Sequence, residues 1–156
     1  MTENTKQFKQ FIEKHPLAVL STASKNGECW GAALYIYCEA DQENIRLFFM
    51  TRNTALKYKN LQENNFLSLT FFGERTADTL QVAGTVREVE QPQQRLEVLG
   101  HLSAVANERL DTWAPVFQLD SGTVRVMEVL PEYIRLSRFG TGKPEILAEE
   151  IKPNEV

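Results

Sequence analysis

Glu28-Cys29-Trp30-Gly31-Ala32-Ala33-Leu34-Tyr35-Ile36-Tyr37-Cys38-Glu39 is the stretch whose reading decides the fold. Side chains alternate across a strand with a period of two. Trp30, Ala32, Leu34, Ile36 and Cys38 therefore share one face, and Gly31, Ala33, Tyr35 and Tyr37 the other. Both faces are apolar or aromatic, so neither suits water. In a chain of 156 residues, a sheet covered on both sides requires a closed barrel or a second subunit.

The neighbouring segments read as a meander. Leu17 to Ser24 is a strand, and Lys25-Asn26-Gly27 is a hairpin turn because Asn and Gly tolerate positive φ. Ile45 to Thr51 is a third strand, with Ile45, Leu47 and Phe49 against Phe48 and Met50. A helix follows from Ala55 to Asn64, with Asn53 or Thr54 expected as its N-cap. Further strands are expected at Phe66 to Phe72 and Thr79 to Glu90, the latter with Leu80, Val82, Gly84 and Val86 on one face. Gln91 to Trp113 reads as the longest helix, with Leu96, Leu99, Ala106 and Leu110 on its stripe. Thr123 to Leu130 and Glu132 to Phe139 read as two strands separated by Pro131. At the other end, Thr2 to His15 is a short amphipathic helix carrying Phe8, Phe11 and Ile12 on one face, stopped by Pro16. Short turns cannot make parallel crossovers, so the sheet is expected to be antiparallel, with helices packed outside. One domain over residues 1–140 and a loose polar tail over 141–156 are expected.

Composition narrows the function classes. A chain of this length buries about 70% of its extended surface on folding, enough for a core without disulfides or metals. The net charge of -4 and the absence of a dense Lys/Arg run argue against nucleic acid as a partner. Cys29 and Cys38, on one strand, would stand about 30 Å apart, too far for a disulfide or a shared metal. Both are expected to be small buried residues in a reducing, cytoplasmic setting. No apolar run reaches membrane-spanning length, and the first residues are polar and charged.

Side-chain catalysis finds little support. His15 sits at a helix end and His101 inside a helix, neither near a nucleophile in sequence. Metal-ligand spacings and glycine-rich phosphate loops are absent from the sequence. One segment does suit an anion. Thr51-Arg52-Asn53-Thr54-Ala55-Leu56-Lys57 runs from a strand end into a helix N-terminus, where free N–H donors and the positive dipole end lie. The same residues also read as an ordinary capped helix with exposed basic side chains. Gly31, Ala32 and Ala33, small among bulky neighbours, leave either a slot for a flat ring or room in a crowded interior.

The run from Leu17 to Glu90 resembles the pyridoxamine 5′-phosphate oxidase-like FMN-binding split barrels. The resemblance is carried by Ala18-Val19-Leu20-Ser21-Thr22-Ala23, Gly27, Leu34-Tyr35-Ile36-Tyr37 and Leu47-Phe48-Phe49-Met50-Thr51. It continues through Lys57, Asn60-Leu61, Asn64-Asn65, Leu67-Ser68-Leu69 and Gly84-Thr85-Val86. It implies a mainly β fold, a six-stranded antiparallel split β-barrel with peripheral helices, forming a homodimer with FMN in the clefts between subunits. The phosphate would be held at Thr51 and Lys57, with Arg52 and Thr54 beside them. The ring would lie against Ala32, Ala33 and Leu34, with Met50 in the matching strand and Thr79 or Gln81 offering a polar contact.

This chain departs from the true oxidases. It has Ala32 where they carry Arg, and Ala55-Leu56 where they carry Ser-Arg; their C-terminal substrate segment has no counterpart. Their own reaction is therefore not expected. A flavin-dependent oxidoreductase is the first expectation, with the chemistry at the flavin and no side-chain catalyst required. A non-enzymatic dimer binding a flavin, a deazaflavin, haem or another flat ligand is the second. A structural dimer whose slot is simply core is the third.

Overall fold

The computed structural model describes residues 2–42, 44–108, 122–140 and 142–151. Its elements are α1 (Glu3–Lys14), β1 (Leu17–Ala23), β2 (Cys29–Tyr35), β3 (Tyr37–Asp41), β4 (Asn44–Arg52), α2 (Leu56–Glu63), β5 (Phe66–Phe72), β6 (Thr79–Glu88), α3 (Pro92–Asn107), β7 (Val124–Arg138) and β8 (Glu145–Glu150). The strands pair antiparallel in the order β2-β1-β5-β6-β7-β4-β3, with β8 joined to β7.

That order forces the sheet to curl. β2 and β3 stand at opposite ends of the path, yet only Ile36 separates them in sequence. Laid flat, the end strands would lie about 29 Å apart at the usual spacing, far beyond the reach of one residue. The sheet therefore rolls into a barrel whose seam is closed by the chain itself, the split barrel. The strand count among the described residues is eight rather than six.

The interior is filled by alternate strand residues. Ala18, Leu20, Leu47, Phe49, Leu69, Phe71, Leu80, Val82, Ile134 and Leu136 are buried together, and α1 adds Phe8, Phe11 and Ile12. Thr2 caps α1 through its side chain, accepting from the Thr5 N–H, and His15 ends the helix. A second cluster lies outside the barrel wall, where Val98 and Leu102 of α3 cover Phe48, Val89 and Val126. β4 is thus covered on both faces, as its sequence implies.

Several expectations are corrected. The strand from Glu28 to Glu39 breaks at Ile36, whose N–H donates to the Pro16 carbonyl at 2.9 Å instead of joining a ladder. Cys29 is exposed and only Cys38 is buried. The two strands around Pro131 are one, because β7 runs through Pro131 opposite Gly84, where the β6–β7 register shifts. The buried stripe of α3 is Val98, Leu102 and Ala106, while Leu96 is exposed; Leu110 and Trp113 lie outside the described residues. Beyond Gly140 the chain is not simply loose, since β8 pairs along β7. Among the described residues no helix is long and apolar enough to cross a membrane.

Candidate functional site

β4 delivers the anion-suited segment to one end of the barrel. Thr51 is buried, and its hydroxyl donates to the Arg52 carbonyl at 3.3 Å, so its one proton is engaged. The Asn53 N–H donates to the Thr123 carbonyl at 2.8 Å and the Ala55 N–H to the Arg52 carbonyl at 3.2 Å. This turn moves the start of α2 one residue beyond the expected caps. The N-cap is Ala55, which makes no side-chain cap bond, rather than Asn53 or Thr54. Among the described residues, the N–H groups of Leu56, Lys57 and Tyr58 find no acceptor. Unclaimed first-turn N–H groups and the positive dipole end together favour an anion.

The charges at this turn are unbalanced. Arg52 and Thr54 are exposed and Lys57 is half-buried. Burial holds the Lys57 ammonium below the ordinary lysine value, and the Arg52 guanidinium lowers it further. Neither cation has an ion-pair partner among the described residues. A half-buried lysine beside an arginine, with no carboxylate between them, is costly unless an anion joins them.

Other contacts fix where α2 sits. It packs against β1, β2 and β4. Asn60 Nδ2 donates to Thr22 Oγ1 at 3.1 Å, a buried bond tying α2 to the end of β1. Tyr58 donates to Glu88 Oε1 at 2.8 Å, and Arg125 Nε lies 3.7 Å from the same oxygen. The Glu88 hydrogen bond, with burial second, raises the Tyr58 phenol above its usual value.

Register separates the candidate residues. Ala32 lies opposite Leu20 and Leu34 opposite Ala18, on the face that turns to the core. Ala33 lies opposite Val19 on the outer face. α2 therefore brings β2 and the turn carrying Thr51, Arg52, Thr54 and Lys57 together at one end of the barrel. Met50 is not part of this group: it packs with Phe48 against the cluster under α3. Gln81 is exposed on the outer face of β6, opposite Thr70 and Arg135. It stands seven residues before Glu88, a path of about 23 Å along the strand, so one chain does not bring it to the α2 turn. Nor is Gly31 a forced small position, since a Cβ there would meet Val19 Cγ1 at an ordinary 3.7 Å.

A feature not read from the sequence is a bare sheet face. Leu17, Val19, Phe66, Phe72, Tyr133 and Ile146 are exposed and all point to the outer face of the β2-β1-β5-β6-β7-β8 portion. On the same face, Arg135 Nε is buried without an acceptor among the described residues. The signal was present in β1, where Leu17 and Val19 are as apolar as the buried Ala18 and Leu20 between which they alternate.

Comparison with known proteins agrees with this architecture. The family profile described as pyridoxamine 5′-phosphate oxidase matches residues 4–138. Among solved structures, a pyridoxamine 5′-phosphate oxidase-related, FMN-binding protein from Nostoc punctiforme superposes with a TM-score of 0.71 at 12% identity, covering 98% of each chain. A protein related to general stress protein 26, from Clostridium acetobutylicum, gives 0.66 at 14% identity over 94% of each chain. A heme-binding protein from Mycobacterium smegmatis gives 0.67 at 15% identity, covering 94% of this chain and 58% of that one. No curated protein matches the sequence. From the profile match and the curled antiparallel sheet together, the chain belongs to the pyridoxamine 5′-phosphate oxidase family.

Proposed function

We propose that the protein is a cytoplasmic, FMN-binding homodimer that acts as a flavin-dependent oxidoreductase. The observation that carries this reading is the unpaired Lys57 beside Arg52 at the uncapped start of α2. A phosphate monoester matches that turn: it accepts from the N–H groups of Leu56, Lys57 and Tyr58 and neutralises both cations. Thr54 is exposed beside them as a further donor. Each charge-assisted hydrogen bond contributes about 1.5–3 kcal/mol, so this cluster can offset the missing Arg at Ala32 and the missing Ser-Arg at Ala55-Leu56.

FMN, when bound, supplies hydride and electron transfer. The chain's own part is to hold, orient and shield. Lys57 and Arg52 anchor the phosphate, and the open edge of β2 along Ala32, Ala33 and Leu34, where small side chains leave the backbone accessible, gives the ring a wall. A second copy on the bare sheet face excludes water and brings Gln81 of the partner subunit towards the ring. Large exposed apolar patches mark such interfaces, and this one carries six large apolar side chains. Haem is the weaker reading because neither histidine belongs to β2 or the α2 turn.

The test is a flavin-fluorescence titration of the wild-type protein and Lys57→Ala. Saturable FMN uptake, weakened about tenfold or more by the substitution, supports the proposal; tenfold corresponds to about 1.4 kcal/mol. No uptake by the wild-type protein overturns it.

A further inference from the structure

The far end of the barrel carries a second group of unpaired cations. Lys14 ends α1, Arg75 lies in the turn after β5, and Arg138 ends β7; all three line one cleft of about 610 Å³. None has an ion-pair or side-chain hydrogen-bond partner among the described residues. Arg138 lies opposite Glu145 across the β7–β8 ladder without an ion pair between them. The α1 C-terminus, a negative dipole end, accounts for Lys14. It does not account for two arginines arriving from separate elements.

The cleft also contains carboxylates, and they are not equivalent. Asp78 Oδ1 accepts from the Phe139 N–H at 2.8 Å, which pins the end of β7 to the turn. Glu74 lies in the lining without a partner, so three cations face two carboxylates. The turn itself is held: the Gly73 N–H donates to the Asp78 carbonyl at 2.8 Å. A Cβ on Gly73 would come within 3.0 Å of Thr76 Oγ1 and 3.5 Å of His15 Nε2. His15 in turn packs its ring on Phe11, at a centroid distance of 4.9 Å. The floor is thus the His15 ring backed by the buried Phe11, and the rim is cationic.

We infer that this cleft binds a small organic anion, a carboxylate or phosphate on an aromatic or apolar body. The anion sits between Lys14 and the two guanidinium groups, which present forked donors suited to paired oxygens. The body lies on the half-exposed His15 ring, which the buried Phe11 supports from below. Within one chain the site is separate from the α2 turn: Arg138 is thirteen residues along β7 from Arg125, which stands beside Glu88 and Tyr58, a path of about 43 Å along the strand. It gives each chain a place for a substrate or effector apart from the phosphate-binding turn of that same chain.

The experiment titrates the full chain with benzoate, phenyl phosphate and the neutral benzyl alcohol, read by calorimetry and by the NMR shifts of Phe11 and His15. Wild type, Lys14→Ala and Arg138→Ala are compared, with thermal melts to verify folding. Saturable binding of at least one anion but not the alcohol, weakened fivefold or more by each substitution with FMN uptake unchanged, is the expected result. The stronger of the two anions identifies the headgroup. No binding of either anion, equal binding by the variants, or displacement of the probe by FMN overturns the inference.

Discussion

Glu128→Gln is the most informative single change in the scaffold. Glu128 is 2% exposed on β7, between Phe48 of β4 and Arg87 of β6. Its Oε1 accepts from Arg46 Nε at 2.6 Å and its Oε2 from Arg87 Nε at 2.8 Å. Arg46 also lies 3.5 Å from Glu39 and 5.2 Å from the centre of the Phe48 ring. Burial alone would raise the Glu128 carboxyl, but the two guanidinium groups outweigh it and hold the group below the ordinary glutamate value. Glutamine keeps the shape and removes the charge. Two charge-assisted bonds would together be worth about 3–6 kcal/mol at full strength. The arginines, however, are 37% and 60% exposed and regain water when released, so the expected loss is about 1–2 kcal/mol. Because the folded value is depressed, the stabilisation is complete above the unfolded glutamate value and is lost as pH falls through the folded one. Urea unfolding at fixed protomer concentration should therefore separate the two proteins at neutral pH and bring them together in acid. A gap that stays constant with pH, or no gap at neutral pH, would refute the reasoning.

Three further outcomes are expected. Gly84→Ala puts a Cβ 2.2 Å from the Leu130 carbonyl oxygen and 3.0 Å from Pro131 Cα; since backbone must move, the cost is about 3 kcal/mol or more. That lowers Tm by about 6–12 °C for a domain of this size, as calorimetry will read. Val19→Asp places a charge on the bare sheet face, and sedimentation should find single chains for the variant and dimers for the wild-type protein. FMN affinity should fall as pH rises through the depressed Lys57 value, because only the charged amine attracts phosphate. Lys57→Arg should hold its affinity across the same alkaline range, and a parallel fall in both proteins would count against the assignment.

β5 runs from Phe66 to Phe72 as expected, because turn residues bound a clean alternation. The break at Ile36 is invisible locally: apolar residues continue through Leu34, Tyr35, Ile36 and Tyr37, and the interruption depends on the distant Pro16 carbonyl. Pro131 signals a strand end, yet β7 continues because the register shift at Gly84 absorbs the irregularity. β8 is mostly exposed at the sheet edge and carries charged residues, so no hydrophobic pattern announces it. At the candidate site, Lys57 in the first turn of α2 was legible from spacing. The actual cap was not, because the Asn53 N–H is taken by Thr123. Met50 is contiguous with Thr51 in sequence, but strand alternation turns it to the α3 side, and distance along β6 keeps Gln81 from the α2 turn in one chain.

The central claim is that the α2 turn holds the phosphate of a flavin. Its most direct test compares FMN with riboflavin, which has the same ring and no phosphate, in parallel titrations of the wild-type protein. FMN should bind at least tenfold tighter, with the difference reduced in Lys57→Ala. Equal affinities for the two flavins would contradict it.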